Sequence, residues 1–357
     1  MHKLHLRYII NVLYFLCGDN VLFSLRKRFS ALIFIFVSVV IFAAALILAP
    51  SGEAPLPGIP TIRPTNTVPP TLTLKGETFT IYEYGAEYIE DGYFAEDDVD
   101  GDITDYVELP DLSVLNEAGT HILKYSVTDS SGNTTEKERH ILVKSPPLDT
   151  SIPVKSVFLT FDDGPCAYTG EILDILKKYN VKATFFVTGQ KPDYAPLMKR
   201  IVDEGHTIAA HTYSHVYDIY GSSEAYFSDL DKINNLIFEQ TGTYTAITRF
   251  PGGSSNLISK KYKAGIVTLL SKELTDKGYI YYDWNVDSKD TSTTNPDKIV
   301  KNVTSSLKDG CSIVLMHDLK KANLTALPKI IEYCQKNGYT ILPMTDKTPV
   351  IRHTINN

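Results

Sequence analysis

Several features are scarce in this 357-residue chain, and each scarcity argues against one class of fold or function. Its four cysteines (Cys17, Cys166, Cys311 and Cys334) form no CxxC pair, which argues against a disulfide scaffold and a thiolate zinc site. Positive charge is also limited: 35 Lys and Arg face 42 Asp and Glu, and the net charge of −7 argues against nucleic acid as a partner. Because 43% of the residues are hydrophobic and only 22% are charged, bulk disorder is excluded.

One apolar run predicts where the chain is located. Residues 31–49 read ALIFIFVSVVIFAAALILA, which is long enough to span a hydrocarbon core of about 30 Å. Since the basic residues Arg26–Arg28 precede this run, we expect a cytoplasmic segment at 1–28 and a transmembrane signal anchor at 29–50. The rest of the chain would then lie outside the cell membrane, in a cell envelope of the Gram-positive type. The alternative is a cleaved signal peptide, for which the run is long.

The next part of the chain predicts a small β domain. A Pro-rich linker at 51–70 leads into residues 71–144, which show β-type alternation between Gly, Asp and Ser turns. The sequences AEDDVDGDIT and YSVTDSSGN resemble the immunoglobulin-like domains of bacterial surface proteins, which implies a β-sandwich. Its acidic loop could bind calcium, but we prefer a solvated loop. The carboxylates concerned are Asp97, Asp98, Asp100 and Asp102.

A second linker at 145–153 precedes a larger domain at 154–350. Strand-like runs such as SVFLTFDDG, YIYYDWNVD and SIVLMHD alternate there with helical patterns such as YTGEILDILKKYN. This alternation predicts an α/β fold with a parallel sheet, either open or closed into a barrel. Polar side chains follow five of the strand-like runs, where the sites of barrel enzymes lie. These side chains are Asp162, Asp163, His211, Arg249, Asp287 and His317.

Two of the clusters suggest a metal site. Asp162 and Asp163 are adjacent carboxylates in TFDDGP, and they repel each other unless positive charge lies nearby. His211 and His215 are four residues apart in HTYSH, and on one helical turn both imidazoles could bind one ion. Each motif alone also fits an ordinary surface turn. Two His and one Asp would leave coordination positions open and suit zinc, although cobalt, nickel or iron is also possible.

The other clusters suggest acid–base chemistry. Arg249 in RFPGG could hold one carboxylate ionised, or it could form a structural salt bridge. The Pro251-Gly252 turn after it exposes backbone N–H groups that could bind an oxyanion. Asp287 in DWNVD could hydrogen-bond His317 and make it a general acid. The alternative for His317 is a buried structural histidine.

Together, TFDDGP, HTYSH, RFPGG, DWNVD and LMH resemble the five motifs of the polysaccharide deacetylases, carbohydrate esterase family 4. The resemblance covers about residues 155–345. It implies a distorted (β/α)7 barrel and metal-dependent removal of N-acetyl groups from amino-sugar polymers. In this resemblance Asp162 matches the general base, and Asp163, His211 and His215 match the metal ligands.

The resemblance also assigns the remaining roles. Arg249 matches the residue that orients the base, and the N–H of Gly252, after Pro251, matches an oxyanion donor. His317 matches the general acid, with Asp287 adjusting its pKa. Leu315 would contact the acetyl methyl group.

The sequence departs from the family pattern at two positions. Gly252 stands where an aromatic residue is frequent, and Thr291 stands where a Trp is frequent. Both changes put the substrate preference in doubt.

The predicted function is therefore deacetylation of N-acetylglucosamine in a cell-wall polymer, with peptidoglycan preferred. The alternatives are another acetylated polysaccharide, such as a secreted amino-sugar polymer, chitin oligomers or acetyl-xylan, and an inactive surface-binding protein. Retention of all five reactive Asp and His side chains argues against the inactive protein. They are Asp162, Asp163, His211, His215 and His317.

Overall fold

The computed structural model describes residues 66–147 and 152–356. Within these two ranges, no helix is long and apolar enough to cross a membrane. The cytoplasmic segment and the anchor predicted at 1–50 lie outside the described residues. So do most of the predicted Pro-rich linker and residues 148–151 of the second linker.

The first described domain consists of two three-stranded sheets. One sheet has the order β1-β3-β4 and the other has the order β2-β6-β5. Pairing is antiparallel except between β2 and β6, which are parallel. The strands are β1 (Thr71–Leu74), β2 (Phe79–Tyr82), β3 (Tyr93–Asp97), β4 (Gly101–Asp102), β5 (Gly119–Thr128) and β6 (Thr134–Val143).

Side chains that alternate between buried and exposed positions along the strands form the core of this domain. In β5, Leu123, Tyr125 and Val127 are buried while the residues between them are more exposed. They pack in one cluster with Leu72 of β1 and Ala95 of β3, so both sheets contribute to a single core. This arrangement confirms the predicted β-sandwich.

The acidic loop of the sandwich is held by hydrogen bonds within the protein. Asp97 Oδ1 accepts from the backbone N–H groups of Val99 and Asp100, both at 2.9 Å. Asp100 in turn accepts from the backbone N–H of Ser130 at 2.7 Å. The Asn66 amide lies 3.1 Å from Asp98 Oδ1. These contacts favour the loop interpretation over a calcium site.

The second domain contains eight parallel strands and six α-helices. The strands are β7 (Lys155–Asp162), β8 (Thr184–Val187), β9 (Thr207–Ala210), β10 (Ile247–Thr248), β11 (Ile280–Tyr281), β12 (Val286–Asp287), β13 (Gly310–His317) and β14 (Thr340–Ile341). The helices are α1 (Thr169–Lys178), α2 (Leu197–Asp203), α3 (Ser223–Thr241), α4 (Ile266–Asp276), α5 (Pro296–Thr304) and α6 (Ala322–Lys336).

These strands form an incomplete barrel. The sheet order is β11-β10-β9-β8-β7-β13-β12, and β14 pairs with the beginning of β7. Among the described residues, the end strands β11 and β12 do not pair with each other, so hydrogen bonds do not close the barrel. The segment YIYYDWNVD, predicted as one strand, forms both end strands. It is divided because Asp283 N–H bonds the Ile351 carbonyl and Asn285 N–H bonds the Ile313 carbonyl.

The two faces of the sheet differ in what covers them. Val157, Leu159 and Phe161 of β7 pack with the helices, whereas Phe158 belongs to a cluster inside the barrel. With a side-chain period of two, Asp162 also points to the inner face. Ile313 of β13 lies in the same inner cluster. This alternation directs the reactive ends of β7 and β13 towards a common rim.

The sandwich packs against the opposite end of the barrel. Tyr244, which precedes β10, stacks between Phe79 of β2 and Phe238 of α3, with ring centroids 4.3 and 4.6 Å away. The approach is close at Gly278, just before β11, where a β-carbon would lie 3.0 Å from the Ile81 side chain. The sandwich therefore covers the amino ends of these strands and leaves the carboxyl ends to the site.

Candidate active site

Two adjacent carboxylates at the end of β7 point in different directions. Asp162 is 2% exposed and lies on the inner face of the strand. Asp163 follows with a φ of 75°, a left-handed conformation that is uncommon for a residue with a side chain. The change of backbone conformation directs the second carboxylate away from the first.

The side chains of Asp163, His211 and His215 converge. Asp163 Oδ1 lies 3.2 Å from His215 Nε2 and 3.6 Å from His211 Nε2. The potential ligand atoms of all three residues lie within 4.8 Å of one another. In the part of the chain that the structure describes, no other group of three or more His, Cys, Asp or Glu residues converges in this way.

The chemistry of this cluster fits a divalent cation. Asp163 Oδ1 is buried without a hydrogen-bond partner among the described residues, and a cation would satisfy it. His211 Nδ1 lies 2.8 Å from the Arg249 carbonyl, so it carries the proton and leaves the Nε2 lone pair towards Asp163. Burial, together with His215, lowers the pKa of His211 to about 3, so its imidazole is neutral.

The HTYSH segment is not the helical turn that the spacing suggested. It is an irregular loop after β9, with left-handed φ angles of 61° at Thr212 and 53° at His215. Asp229 of α3 holds this loop, because its Oδ2 accepts from the backbone N–H groups of Tyr213 (2.7 Å) and Ser214 (2.9 Å). Sequence reasoning missed Asp229, which lies within an ordinary amphipathic helix.

Asp162 forms a buried ion pair with Arg249. The guanidinium Nη1 lies 2.7 Å from Asp162 Oδ1, and the arginine is fully buried. Arg249 also donates to the carbonyls of Tyr282 (3.0 Å) and Asp283 (3.2 Å), which hold it in place. Burial raises the pKa of the Asp162 carboxyl, and the Arg249 charge opposes that rise. The free Oδ2 faces the metal cluster, 3.7 Å from His211 Nε2.

The RFPGG segment forms a tight turn beside this pair. Gly252 and Gly253 both have left-handed φ angles, 77° and 78°. The Gly253 N–H closes the turn on the Phe250 carbonyl at 2.8 Å, while no described residue accepts from the Gly252 N–H. Buried Asp283 supports the turn by accepting from the Ser254 N–H at 2.8 Å. Among the described residues the Gly252 N–H is therefore left free to donate to a ligand, and its role as an oxyanion donor stays a prediction.

His317 is paired with Asp290 and not with Asp287. Its Nδ1 lies 2.8 Å from Asp290 Oδ1, and its backbone N–H donates to Asp290 Oδ2 at 2.7 Å. Asp287, at the end of β12, is exposed and accepts from the Lys289 N–H at 2.7 Å. The left-handed φ of 54° at Lys289 turns the chain and brings Asp290 back towards the site. The only sequence signal was a second aspartate three residues after Asp287.

This pairing changes the acidity of His317. Burial lowers the pKa of His317, but the hydrogen bond that His317 donates to Asp290 and the charge of Asp162 act more strongly in the opposite direction, and the pKa rises to about 9. Asn323 of α6 donates to Asp290 Oδ2 at 2.6 Å and so holds the carboxylate in place. The imidazole is thereby kept protonated at neutral pH, as a general acid requires.

Leu315, the proposed contact of the acetyl methyl group, lies two residues before His317 on β13 and is 6% exposed. It shares the inner face of the strand with His317. Thr291 follows Asp290 directly in the chain. The catalytic and ligand roles of all these residues remain predictions.

Two protein families match successive parts of the chain, one in each folded domain. Residues 72–143 match a family described as bacterial surface protein, Ig-like domain. Residues 150–266 match the polysaccharide deacetylase family.

The chain is also similar to individual proteins. It is 30% identical over 227 residues to the peptidoglycan-N-acetylglucosamine deacetylase PgdA of Listeria monocytogenes, covering 63% of this chain and 45% of that protein. It is 32% identical to a peptidoglycan-N-acetylglucosamine deacetylase of Bacillus cereus, covering 54% and 87%. The chain thus spans about half the length of the Listeria relative.

A solved structure supports the same relationship. The catalytic domain of peptidoglycan N-acetylglucosamine deacetylase from Eubacterium rectale is 45% identical, with a TM-score of 0.56, and the match covers 59% of this chain and all of that domain. The fold and site on which these matches converge are a partly closed parallel (β/α) domain with an Asp-His-His cluster at the carboxyl ends of its strands. The chain belongs to the polysaccharide deacetylase family, whose members remove acetyl groups from carbohydrates by hydrolysis.

Proposed function

We propose that this protein is a metal-dependent N-deacetylase that acts on N-acetylglucosamine units of a cell-wall polymer, with peptidoglycan as the preferred substrate. The observation that carries the proposal is that three potential metal ligands lie between two fixed side chains. One is Asp162, which pairs with Arg249, and the other is His317, which pairs with Asp290. The named activities of the Listeria, Bacillus and Eubacterium relatives support the choice of polymer.

Asp163, His211 and His215 would hold the metal. Zinc suits this donor set, and cobalt, nickel and iron are alternatives. When bound, the cation would supply Lewis-acid polarisation of the acetyl carbonyl and would acidify a water molecule.

The remaining groups of the site would perform the proton transfers. The free Oδ2 of Asp162 takes a proton from the attacking water, while Arg249 holds the other oxygen. Attack on the amide carbon produces an oxyanion, and the Gly252 N–H donates to it. The amine leaves only after protonation, which His317 Nε2 provides, since Asp290 occupies Nδ1. The products are acetate and a glucosamine unit of the polymer.

The substrate assignment is tested by acetate release. The purified full chain, loaded with zinc, is incubated with N-acetylated peptidoglycan, chitin oligomers and acetyl-xylan at equal acetyl content. We expect the fastest release from peptidoglycan and almost none from the Asp162→Asn control. Faster release from chitin oligomers or acetyl-xylan would identify that polymer, and not peptidoglycan, as the preferred substrate. No release from any of the three by metal-loaded protein would contradict a deacetylase.

We also propose that the predicted anchor at residues 29–50 holds the protein in the cell membrane with both folded domains outside. The apolar run and the preceding basic residues support this orientation. Protease added to intact cells should release the catalytic domain and leave the segment at 1–28 protected. Catalytic domain found free in the medium, with an N-terminus near Pro50, would instead indicate a cleaved signal.

A further inference from the structure

The turn that carries the Gly252 N–H is covered by an aromatic residue from another part of the chain. A β-carbon added at Gly252 would lie 3.0 Å from the Tyr217 hydroxyl oxygen and 3.5 Å from its Cε1. Tyr217 follows the HTYSH loop by two residues and begins a short 3-10 helix (Tyr217–Gly221). Its phenol therefore stands in the space that a side chain at position 252 would enter.

This phenol is held by a row of aromatic rings. Tyr217 stacks on Tyr220 with ring centroids 6.2 Å apart, and Tyr220 stacks on Tyr226 at 6.1 Å. The Tyr220 hydroxyl donates to the Pro251 carbonyl at 2.9 Å, which ties this segment to the RFPGG turn. Tyr220 and Tyr226 are fully buried, so the row is a rigid support.

No hydrogen bond joins the Tyr217 hydroxyl to another residue of the described ranges, and this half-buried side chain does not enclose its oxygen within the protein. An open tyrosine hydroxyl can donate or accept a hydrogen bond. Its ring is supported from behind, and its free oxygen lies beside an oxyanion donor. A hydroxyl in this position is arranged to bind a polar ligand atom.

We propose that Tyr217 is a specificity-determining residue whose hydroxyl hydrogen-bonds the amino-sugar unit that carries the acetyl group, while its ring supplies the aromatic wall absent at Gly252. The inference rests on the proposed function, because it requires a sugar substrate. It explains how this site can have Gly252 at a position where the side chain of an aromatic residue would otherwise line the groove.

The test compares the full-length wild-type chain with Tyr217→Phe and Tyr217→Ala. Tyr333→Phe is the matched control, since Tyr333 is a 38% exposed tyrosine of α6. Each zinc-loaded protein is assayed with an N-acetylglucosamine tetramer and with 4-nitrophenyl acetate, which has no sugar. Binding of the tetramer to metal-free protein is measured by calorimetry, and thermal unfolding checks the fold.

For Tyr217→Phe, loss of one neutral hydrogen bond should raise KM and the metal-free Kd for the tetramer by about 2–10-fold. Turnover of 4-nitrophenyl acetate should be unchanged. Tyr217→Ala, which also removes the wall, should weaken tetramer binding more than Tyr217→Phe does. Tyr333→Phe should match the wild type in every assay.

Three results would overturn the proposal. Wild-type binding by Tyr217→Phe, with an active wild-type enzyme, would reject the hydrogen bond and leave the proposed function intact. An equal loss of kcat on both substrates would assign Tyr217 to the chemical step instead. A wild-type chain that hydrolyses 4-nitrophenyl acetate but neither binds nor deacetylates the tetramer would reject the sugar substrate, and the role of Tyr217 with it.

Discussion

The two ends of the parallel sheet are built for different purposes. At the carboxyl ends lie buried carboxylates and imidazoles, several left-handed residues and an Asp163 oxygen that no described residue hydrogen-bonds. At the amino ends, Tyr244, Phe79 and Phe238 form a stack against the sandwich. The strands are the same, so the difference comes from the residues at their two ends.

The molecule concentrates its unfavourable interactions at the carboxyl ends of the strands. Buried charges and uncommon backbone conformations cost stability, and they persist at functional sites because the surrounding structure holds them. Apolar stacking at the opposite end stabilises the fold and takes no part in the reaction. Substitutions at the two ends should therefore separate activity from stability.

The largest expected effect is on turnover and separates the two carboxylates of TFDDGP. Asp162→Asn removes the base and should lower kcat by roughly 10²–10⁴-fold while zinc stays bound. Asp163→Asn should lower both zinc affinity and turnover, because it removes a ligand. His317→Ala should resemble Asp162→Asn. Metal analysis and acetate release are measured on all three variants together.

An empty site in Asp162→Asn with a full site in Asp163→Asn would show that the two roles are reversed. Wild-type activity in all three variants would reject the mechanism.

The next effect is on stability, at the other end of the sheet. Tyr244 is 7% exposed, stacks on two rings and lies 2.7 Å from His140 Nδ1 through its hydroxyl. Tyr244→Ala should lower the free energy of unfolding by about 3–5 kcal/mol, as for other large buried aromatic side chains. The kcat of the folded protein should stay unchanged. Denaturant titration and kinetics at low temperature measure both.

Tyr106→Ala is the control for Tyr244, because Tyr106 belongs to the sandwich that Tyr244 contacts and is 72% exposed. Its effect should stay within about 0.5 kcal/mol. Equal effects of the two substitutions would indicate that the contact between the domains contributes little to stability.

A smaller effect, on pH dependence, tests the corrected partner of His317. Its pKa of about 9 is raised above the ordinary value, so the acid form is present at low pH and is lost as the pH rises through that value. Asp290→Asn removes the carboxylate that raises the pKa, and the alkaline limb of kcat/KM should move to lower pH. Asp287→Asn, at an exposed position, should leave the limb in place. A shift in Asp287→Asn alone would restore the sequence-based pairing.

The smallest expected effect is on thiol reactivity. The two cysteines of the last strand–helix unit differ in burial, because Cys334 is fully buried while Cys311 is half-buried. Burial raises the pKa of Cys311 to about 11 and that of Cys334 to about 12. A maleimide should therefore label Cys311 slowly and Cys334 more slowly still, as measured by peptide mass spectrometry. Faster labelling of Cys334 would contradict this packing.

Strong local patterns were sufficient to predict the two folded domains. Alternating burial in β5 and the regular exchange of strand and helix patterns after Lys155 both appear in the structure. The sequence YIYYDWNVD was misread as one strand, because the hydrogen bonds that divide it come from Ile313 and Ile351, far along the chain.

The site was predictable to the extent that its residues lie in motifs. Asp163, His211 and His215 meet as expected, but through a loop held by Asp229 and not through a helical turn. Asp290 was missed in favour of Asp287, since a spacing of three residues does not reveal which carboxylate turns inward.

The composition of the site follows from local sequence, because a strand that ends in a charged motif places that motif at the rim of a parallel sheet. Tertiary contacts set which carboxylate faces which partner. They also determine that Tyr217 covers Gly252, because such contacts depend on left-handed turns and on packing between distant segments. Local residue patterns carry no record of those contacts.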